Sequence, residues 1–306
     1  MCTNNIISEI AVKEILKLGR VDFNSPLSLC TTFKTGGNAD ILIEPFSEDA
    51  LSLILPVITG EGIPFHIIGG GSNLLISDIG LRGAVIKISG LDNSFKAEGD
   101  YIYAGAALSK ERFISEAISS GFGGVEFMAG IPGSMGGGIY MNAGTFMGCF
   151  VDMLKKIRGV DYNGSVFEVD ACADISGYRK MNLPGNTVIT GGIFSLPKSD
   201  NPAETAERVD DIIKDRWSKH PMEYPSAGSV FKNPEGHSSW KLINDSGLKG
   251  CRIGGAMVSE KHTNFIINTG GALSSDIYNL ISHVQETVFK NTGVTLETEI
   301  KIMGEF

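Results

Sequence analysis

The hydrophobic positions of this chain recur with two periods, and the change from one to the other marks its elements. ADILIEP (39–45), IPFHII (63–68), GAVIKIS (83–89) and YIYAGA (101–106) are short, rich in β-branched residues and bounded by Gly, Pro or Ser, which predicts buried strands. Between the first two, SEDALSLILPVITG (47–60) opens on a capping serine and an acidic first turn. It sets Leu51 and Leu55 on one face, which predicts a helix. SKERFISEAISSG (109–121) reads as a second helix closed by Gly121. LKKIRGVD (154–161), SVFEVD (165–170) and TVITGGIFSL (187–196) return to strand character.

The ends of the chain follow the same logic. Ile7, Ile10, Ile15 and Leu18 fall near helical spacing, with Gly19 suited to a C-terminal cap. Pro197 to Pro202 forms a linker ahead of a charged helix, AETAERVDDIIKDRWSKH (203–220). Two more helices are expected at 238–246 and 274–291, and a final strand at TLETEIKIM (295–303), where Glu297, Glu299 and Lys301 share the face opposite Leu296, Thr298 and Ile300. The alternation implies a mixed α+β or α/β chain with a boundary near 198–215, and no internal repeat.

Composition narrows the class. With 306 residues, 42% hydrophobic and 20% charged, the chain is an ordinary globular protein of about two domains. A formal net charge of −9 argues against nucleic acid as partner, because phosphate backbones need a basic face. It does not exclude a small anion. From Gly228 to His262, Lys232, Lys241, Lys249, Arg252 and Lys261 outnumber Glu235, Asp245 and Glu260. Cys2, Cys30, Cys149, Cys172 and Cys251 are scattered and form no CxxC, which fits free thiols in a reducing cytoplasm and no metal site. No signal peptide or membrane-spanning run is read, so neither export nor membrane insertion is expected.

Glycine density carries the first chemical signal. The strand at 63–68 runs straight into GGGSN (69–73), and 121–144 contains nine glycines. Successive amides without side chains in the way form an anion cradle suited to a phosphate or diphosphate. Neither GxxxxGK[ST] nor GxGxxG is present; the latter fails at Leu74. Other candidate chemistry is sparser. SGYR (176–179) offers Tyr178 and Arg179, the latter a permanent planar cation for a carboxylate or phosphate. SAGSVFKNP (226–234) holds Ser229 beside Gly228, with Lys232 and Asn233 close by. AGSVF is not the GxSxG nucleophile elbow, and no histidine spacing supports a triad. From the residues alone, Ser229 is a nucleophile, a proton carrier or a turn residue.

Several segments together resemble one family: TTFKTGGNADILIEP (31–45), IIGGGSNLLISD (67–78), GFGGVEFMAGIPGSMGGGIYMNAG (121–144), SGYR (176–179), YPSAGSVFKNP (224–234), SGLKGCRIGGAMVSEKHTNFIIN (246–268) and GVTLETEIKIMGE (293–305). In this order they resemble the UDP-N-acetylenolpyruvoylglucosamine reductase (MurB) family, flavoenzymes of peptidoglycan precursor synthesis. The resemblance implies an α+β chain with an FAD-binding region of the PCMH (vanillyl-alcohol oxidase) type over 1–200, made of two subdomains split near 85–90. A C-terminal α+β substrate domain over 201–306 would follow, its last strand returning to the active site. Noncovalent FAD would place its diphosphate between Gly69, Gly70, Gly71, Ser72, Asn73 and the segment Gly130, Ile131, Pro132, Gly133, Ser134, Gly136, Gly137. NADPH would be co-substrate, and UDP-N-acetylglucosamine enolpyruvate the acceptor.

In the same resemblance Ser229 matches the proton donor, Arg179 and Glu299 its partners in stabilising the enol form, and Tyr178, Lys232 and Asn233 positions near the substrate. A monomer is expected. The short path from SGYR to TVITGG has no room for the long tyrosine loop of one branch, and in this the chain resembles the shorter, type II form. Ser239 and Trp240 stand where Ala-Gly is expected, and His66 precedes the first glycine loop as an ordinary strand residue. Two other readings compete: a PCMH-type FAD oxidase or dehydrogenase acting on a hydroxy acid or sugar, and a noncatalytic nucleotide-binding protein with the same fold.

Overall fold

The computed structural model describes residues 7–306, so Cys2 lies outside the described residues. The chain divides into two compact units, and neither is continuous. The first comprises Met1–Phe23, Ile41–Gly70 and Gly83–Lys214; the second comprises Asn24–Asp40, Gly71–Arg82 and Asp215–Phe306. Two early segments thus group with the C-terminal residues.

In the first unit, the helix at Glu48–Gly60 forms where its serine and acidic turn predict it, with Ser47 Oγ accepting from Ala50 N–H at 3.0 Å. Its Leu51, Ile54, Leu55 and Ile58 are fully buried together with Ile41, Ile43 and Ile86 from neighbouring strands. A four-stranded sheet is ordered Gly19–Pro26, Asn38–Pro45, Leu81–Lys87, Phe65–Ile68, its last two strands parallel with Phe65 opposite Ala84 and Ile68 opposite Lys87. A separate five-stranded sheet runs Val166–Asp170, Leu154–Asp161, Thr187–Ser195, Tyr101–Gly105, Phe95–Glu98 and is antiparallel throughout. Phe113, Phe127, Phe150 and Phe194 pack beside it in a second core. Helices packed against a sheet with a parallel pair and against a separate antiparallel sheet make the chain α+β.

The first helix is shorter than its apolar spacing suggests. It covers Glu9–Ile15 and caps at Leu16, while Gly19 opens the first strand rather than closing the helix. A Cβ at Gly19 would lie 2.7 Å from the Glu44 carbonyl oxygen, so packing against the neighbouring strand explains the residue.

The second unit is built on an antiparallel sheet ordered Ser226–Ser229, Phe265–Asn268, Ala256–Val258, Arg252–Ile253. The helix Ser274–Thr292 covers it with Ile277, Leu280, Ile281, Val284 and Val288, a helical stripe on which each side chain contributes about 2 kcal/mol by burial. Gly293, at φ 72°, ends that helix in the left-handed cap. Its other end is closed from far away: Asp78 accepts from Ser274 N–H at 2.7 Å and Ser275 N–H at 2.9 Å. Phe33 and Leu75 belong to the same core. The expected long C-terminal strand is regular only over Lys301–Met303, which pairs in parallel with Leu74–Ile76. Among the described residues no helix is long and apolar enough to cross a membrane.

Candidate active site

The expected site residues fall in both units. Gly69, Gly70, the 130–137 segment, Tyr178 and Arg179 belong to the first; Gly71, Ser72, Asn73, Ser229, Lys232, Asn233 and Glu299 belong to the second.

In the first unit the two glycine loops meet. The strand Phe65–Ile68 delivers Gly69 and Gly70 directly against Gly133 and Ser134. A Cβ added at Gly70 would lie 3.0 Å from Gly133 Cα, so the approach requires a bare backbone there. Ser134 caps the short helix Met135–Tyr140, its Oγ accepting from Gly137 N–H at 3.4 Å. The N–H groups of Gly133 and Ser134 have no acceptor among the described residues. Converging loops with amides that have no acceptor among the described residues fit a diphosphate, so the residues present suit an FAD cradle. His66 is half-buried in the delivering strand, and burial lowers its pKa.

Tyr178 and Arg179 form the two-residue connection of a small hairpin, with Gly177 paired to Lys180 and Ser176 to Met181. Arg179 sits at φ 56°, a left-handed conformation in which such connections favour glycine or asparagine. Its guanidinium donates to the Gly144 carbonyl at 2.8 Å and lies 4.9 Å from the Tyr178 ring centroid. The hairpin is held to the glycine-rich segment by Asn142, which the sequence did not single out. Asn142 is buried, its amide donates to the Gly177 carbonyl at 3.1 Å, and its side-chain oxygen accepts from Val151 N–H at 3.0 Å. Only its place in MNAG, directly after the glycines, hints at this.

In the second unit, Ser229 ends the strand Ser226–Ser229, half-buried and opposite Phe265. The pairing slips between Ser226, opposite Ile267, and Ser229. Gly228 absorbs the slip at φ 74°, with nothing within 4 Å of a Cβ built there. This is a bulge, a device that re-aims the side chain beside it.

Glu299 is placed by its backbone. Its N–H donates to Val230, the residue after Ser229, at 2.7 Å, and its carbonyl accepts from the Asn73 side-chain amide at 3.1 Å. Asn73 also accepts from Lys301 N–H at 2.9 Å through its own carbonyl. The structure thus brings Asn73, Ser229 and Glu299 together in one clamp. Phe231 bridges Thr298, and Lys232 N–H donates to Glu297 O at 2.9 Å.

The Lys232 ammonium is paired with Glu297 at 3.1 Å, and the Asn233 side-chain oxygen accepts from Ser239 N–H at 3.0 Å. Ser239 is fully buried and its hydroxyl donates to the Lys232 carbonyl, so this residue fixes the 232–233 loop. Trp240, its neighbour, is half-exposed, with its ring 6.4 Å from that of His262. The His220 and His262 rings lie 4.9 Å apart, tilted by 36°, and burial, with His220 adding to it, pulls the His262 pKa down to about 4.

The fold and the paired glycine loops define a flavoprotein with a PCMH-type FAD-binding region. Residues 39–170 match the FAD binding domain model, and 220–303 match the C-terminal domain model of UDP-N-acetylenolpyruvoylglucosamine reductase. The berberine bridge enzyme has the same fold over 62% of this chain, at a TM-score of 0.50 and 19% identity.

The similarity to the reductases extends over nearly the whole length. UDP-N-acetylenolpyruvoylglucosamine reductase of Clostridium botulinum is 42% identical over 96% of this chain and 95% of its own. That of Geobacter metallireducens is 38% identical over 94% and 95%. The crystal structure of the Thermus caldophilus enzyme covers 94% of this chain at a TM-score of 0.79 and 30% identity. The chain belongs to the UDP-N-acetylenolpyruvoylglucosamine reductase family.

Proposed function

We propose that this protein reduces UDP-N-acetylglucosamine enolpyruvate to UDP-N-acetylmuramate with NADPH and noncovalent FAD, as a step of peptidoglycan precursor synthesis. The observation that carries the reading is the clamp in the second unit. A serine on a glycine bulge and a glutamate are tied through Val230 at 2.7 Å, within a chain 42% identical to such reductases.

Bound FAD supplies the hydride chemistry, and the protein orients and polarises. The glycine loops at 69–73 and 130–137 hold the diphosphate with backbone N–H groups. As the enolpyruvyl double bond is reduced, negative charge grows on its carboxylate side, where Arg179 and Glu299 stabilise the enolate or enol form. Ser229 Oγ–H then gives its proton to the carbon next to the carboxylate, the new C–H bond forming as the O–H bond breaks. Solvent returns a proton to Oγ. The bulge at Gly228 aims that hydroxyl, so protonation reaches one face of the carbon only. Tyr178, Lys232 and Asn233 contact the substrate, and Ser239 keeps the 232–233 loop in place for that contact. The protein acts as a monomer in the cytoplasm.

The test separates the two halves of the cycle. Ser229→Ala is expected to keep NADPH-dependent flavin reduction and to lose about two orders of magnitude or more in reoxidation by the enolpyruvyl substrate. Equal wild-type speeds in both halves would remove Ser229 from this role. A flavin-containing protein with no substrate-dependent NADPH oxidation would remove the activity itself, in favour of another flavoenzyme or of a noncatalytic binding protein.

A further inference from the structure

One buried cation lies against the proposed FAD cradle and has no part in the mechanism above. Lys110 opens the helix Lys110–Ser119, yet its side chain is only 3% exposed. Its stem passes under the short helix of the glycine segment: a Cβ added at Gly138 would lie 2.9 Å from Lys110 Cε. Its ammonium donates to the Pro132 carbonyl at 2.7 Å, and its backbone N–H donates to the Gly133 carbonyl at 3.2 Å. A lysine almost never takes such a place without a charged partner. The acidic group that acts on it is Glu111, its exposed neighbour on the same helix; Pro132, Gly133 and Gly138, from the elements packed against it, carry no charge.

The geometry of one peptide shows what the contact does. No peptide of the described residues is cis, and in a planar trans peptide the carbonyl and the following N–H point in opposite directions. Holding Pro132 O toward Lys110 therefore turns Gly133 N–H away from it. That N–H and the next, on Ser134, have no acceptor among the described residues. The peptide is also thin. An anion accepting from Gly133 N–H would be separated from the ammonium by this one peptide.

We propose that Lys110 is a positioning residue for the cofactor diphosphate: it orients the 132–133 peptide so that Gly133 N–H faces the anion, and its buried charge attracts that anion through the peptide. This rests on the FAD-dependent reading above. Burial has already pulled the Lys110 pKa down to about 8, so the charge is lost in an accessible range. A bound dianion favours the protonated lysine and raises its pKa. Affinity for FAD is then full below pH 8 and falls as pH rises through the pKa of the free protein.

The experiment titrates apoprotein with FAD and, in parallel, with riboflavin, which lacks both phosphates, following flavin fluorescence from pH 6.5 to 9.5. For the wild type, the FAD dissociation constant is expected to rise about tenfold across the range, which corresponds to one pKa unit of coupling, while riboflavin binding stays level. Lys110→Met is expected to bind FAD about tenfold more weakly at pH 7, with no further loss to pH 9.5, and riboflavin as the wild type does. A level wild-type FAD profile overturns the proposal. So does a Lys110→Met profile parallel to the wild type's, or an equal loss of FAD and riboflavin affinity, which would make Lys110 merely structural. Should Lys110→Met fail to fold, the difference between the wild-type FAD and riboflavin profiles decides alone. A wild-type protein that takes up no FAD at any pH overturns the functional reading instead.

Discussion

Replacing Arg179 by glycine and by alanine, side by side, separates what its guanidinium does from what its backbone costs. Both variants lose the hydrogen bond to the Gly144 carbonyl and the contact with the Tyr178 ring, so those contributions cancel in the comparison. What remains is the backbone, at φ 56° in the second position of a two-residue hairpin connection. The left-handed region costs an L-residue with a Cβ about 1–2 kcal/mol. Glycine escapes that cost and gives back about 0.5–1 kcal/mol through its greater freedom in the unfolded chain. The Gly variant is therefore expected to be more stable than the Ala variant by about 1 kcal/mol, the reverse of the usual order in ordered backbone. Urea denaturation of both, with equal m-values, measures the difference directly. Both are expected to lose the substrate-dependent half of the cycle while keeping bound flavin. An Ala variant as stable as the Gly variant would refute the strained hairpin. Retention of full activity in either would refute the role of the guanidinium, and with it the view that strain is tolerated here because this cation must stand at this point.

Other consequences can be checked with the same preparations. Gly70→Ala forces a Cβ to within 3.0 Å of Gly133 Cα, so the two loops must part by a few tenths of an ångström; FAD affinity is expected to fall about tenfold or more, with little change in far-UV circular dichroism. The His262 pKa, about 4 in the folded protein, lies below its ordinary 6.5, so the folded state binds fewer protons than the unfolded one between these values. Unfolding free energy should fall on acidification through that window, on the order of 2 kcal/mol after solvent screening, and His262→Gln should flatten this part of the profile. Burial raises the Asp78 carboxyl, but hydrogen bonds from Ser275 and Ser274 overcome this and hold its pKa below the ordinary value. Asp78→Asn should cost about 1 kcal/mol near neutral pH and progressively less as pH falls through the Asp78 pKa, read by thermal melts.

Local signals in the sequence were reliable where the physics is local. The helix at Glu48–Gly60 begins where Ser47 and its acidic turn place it, and the helix Lys110–Ser119 follows its own capping Ser109. The strands Asn38–Pro45, Phe65–Ile68, Leu81–Lys87 and Tyr101–Gly105 lie where short apolar runs predict them. Position in the motifs also brought out Ser229, Arg179, Glu299 and the glycine loops as candidates. What was not legible depends on pairing across long stretches of chain. TLETEIKIM alternates like a strand, yet only Lys301–Met303 lies in a regular ladder, because Glu297 to Glu299 meet the bulged segment after Ser229 and the Asn73 side chain instead. The strand Gly19–Pro26 carries too many polar residues to announce itself by period, and Gly19 looked like a cap because its close neighbour, Glu44, is remote in sequence. Asn142, Ser239 and Lys110 act through backbone carbonyls and amides, which no side-chain pattern records.

The pairing of Leu74–Ile76 with Lys301–Met303 sets the order of events during synthesis. The second unit takes Asn24–Asp40 and Gly71–Arg82 from the start of the chain, and the rest from Asp215 onward. Phe33 and Leu75, both fully buried in the finished core, leave the ribosome long before the helix Ser274–Thr292 that covers them has been made. At about 5–20 residues per second, those side chains wait on the order of ten seconds or more for their partners. The early segments therefore depend on chaperones or on temporary burial elsewhere. A fragment beginning at Asp215 would lack Phe33, Leu75 and the Asp78 cap, and no cut at one point of the chain yields the second unit whole.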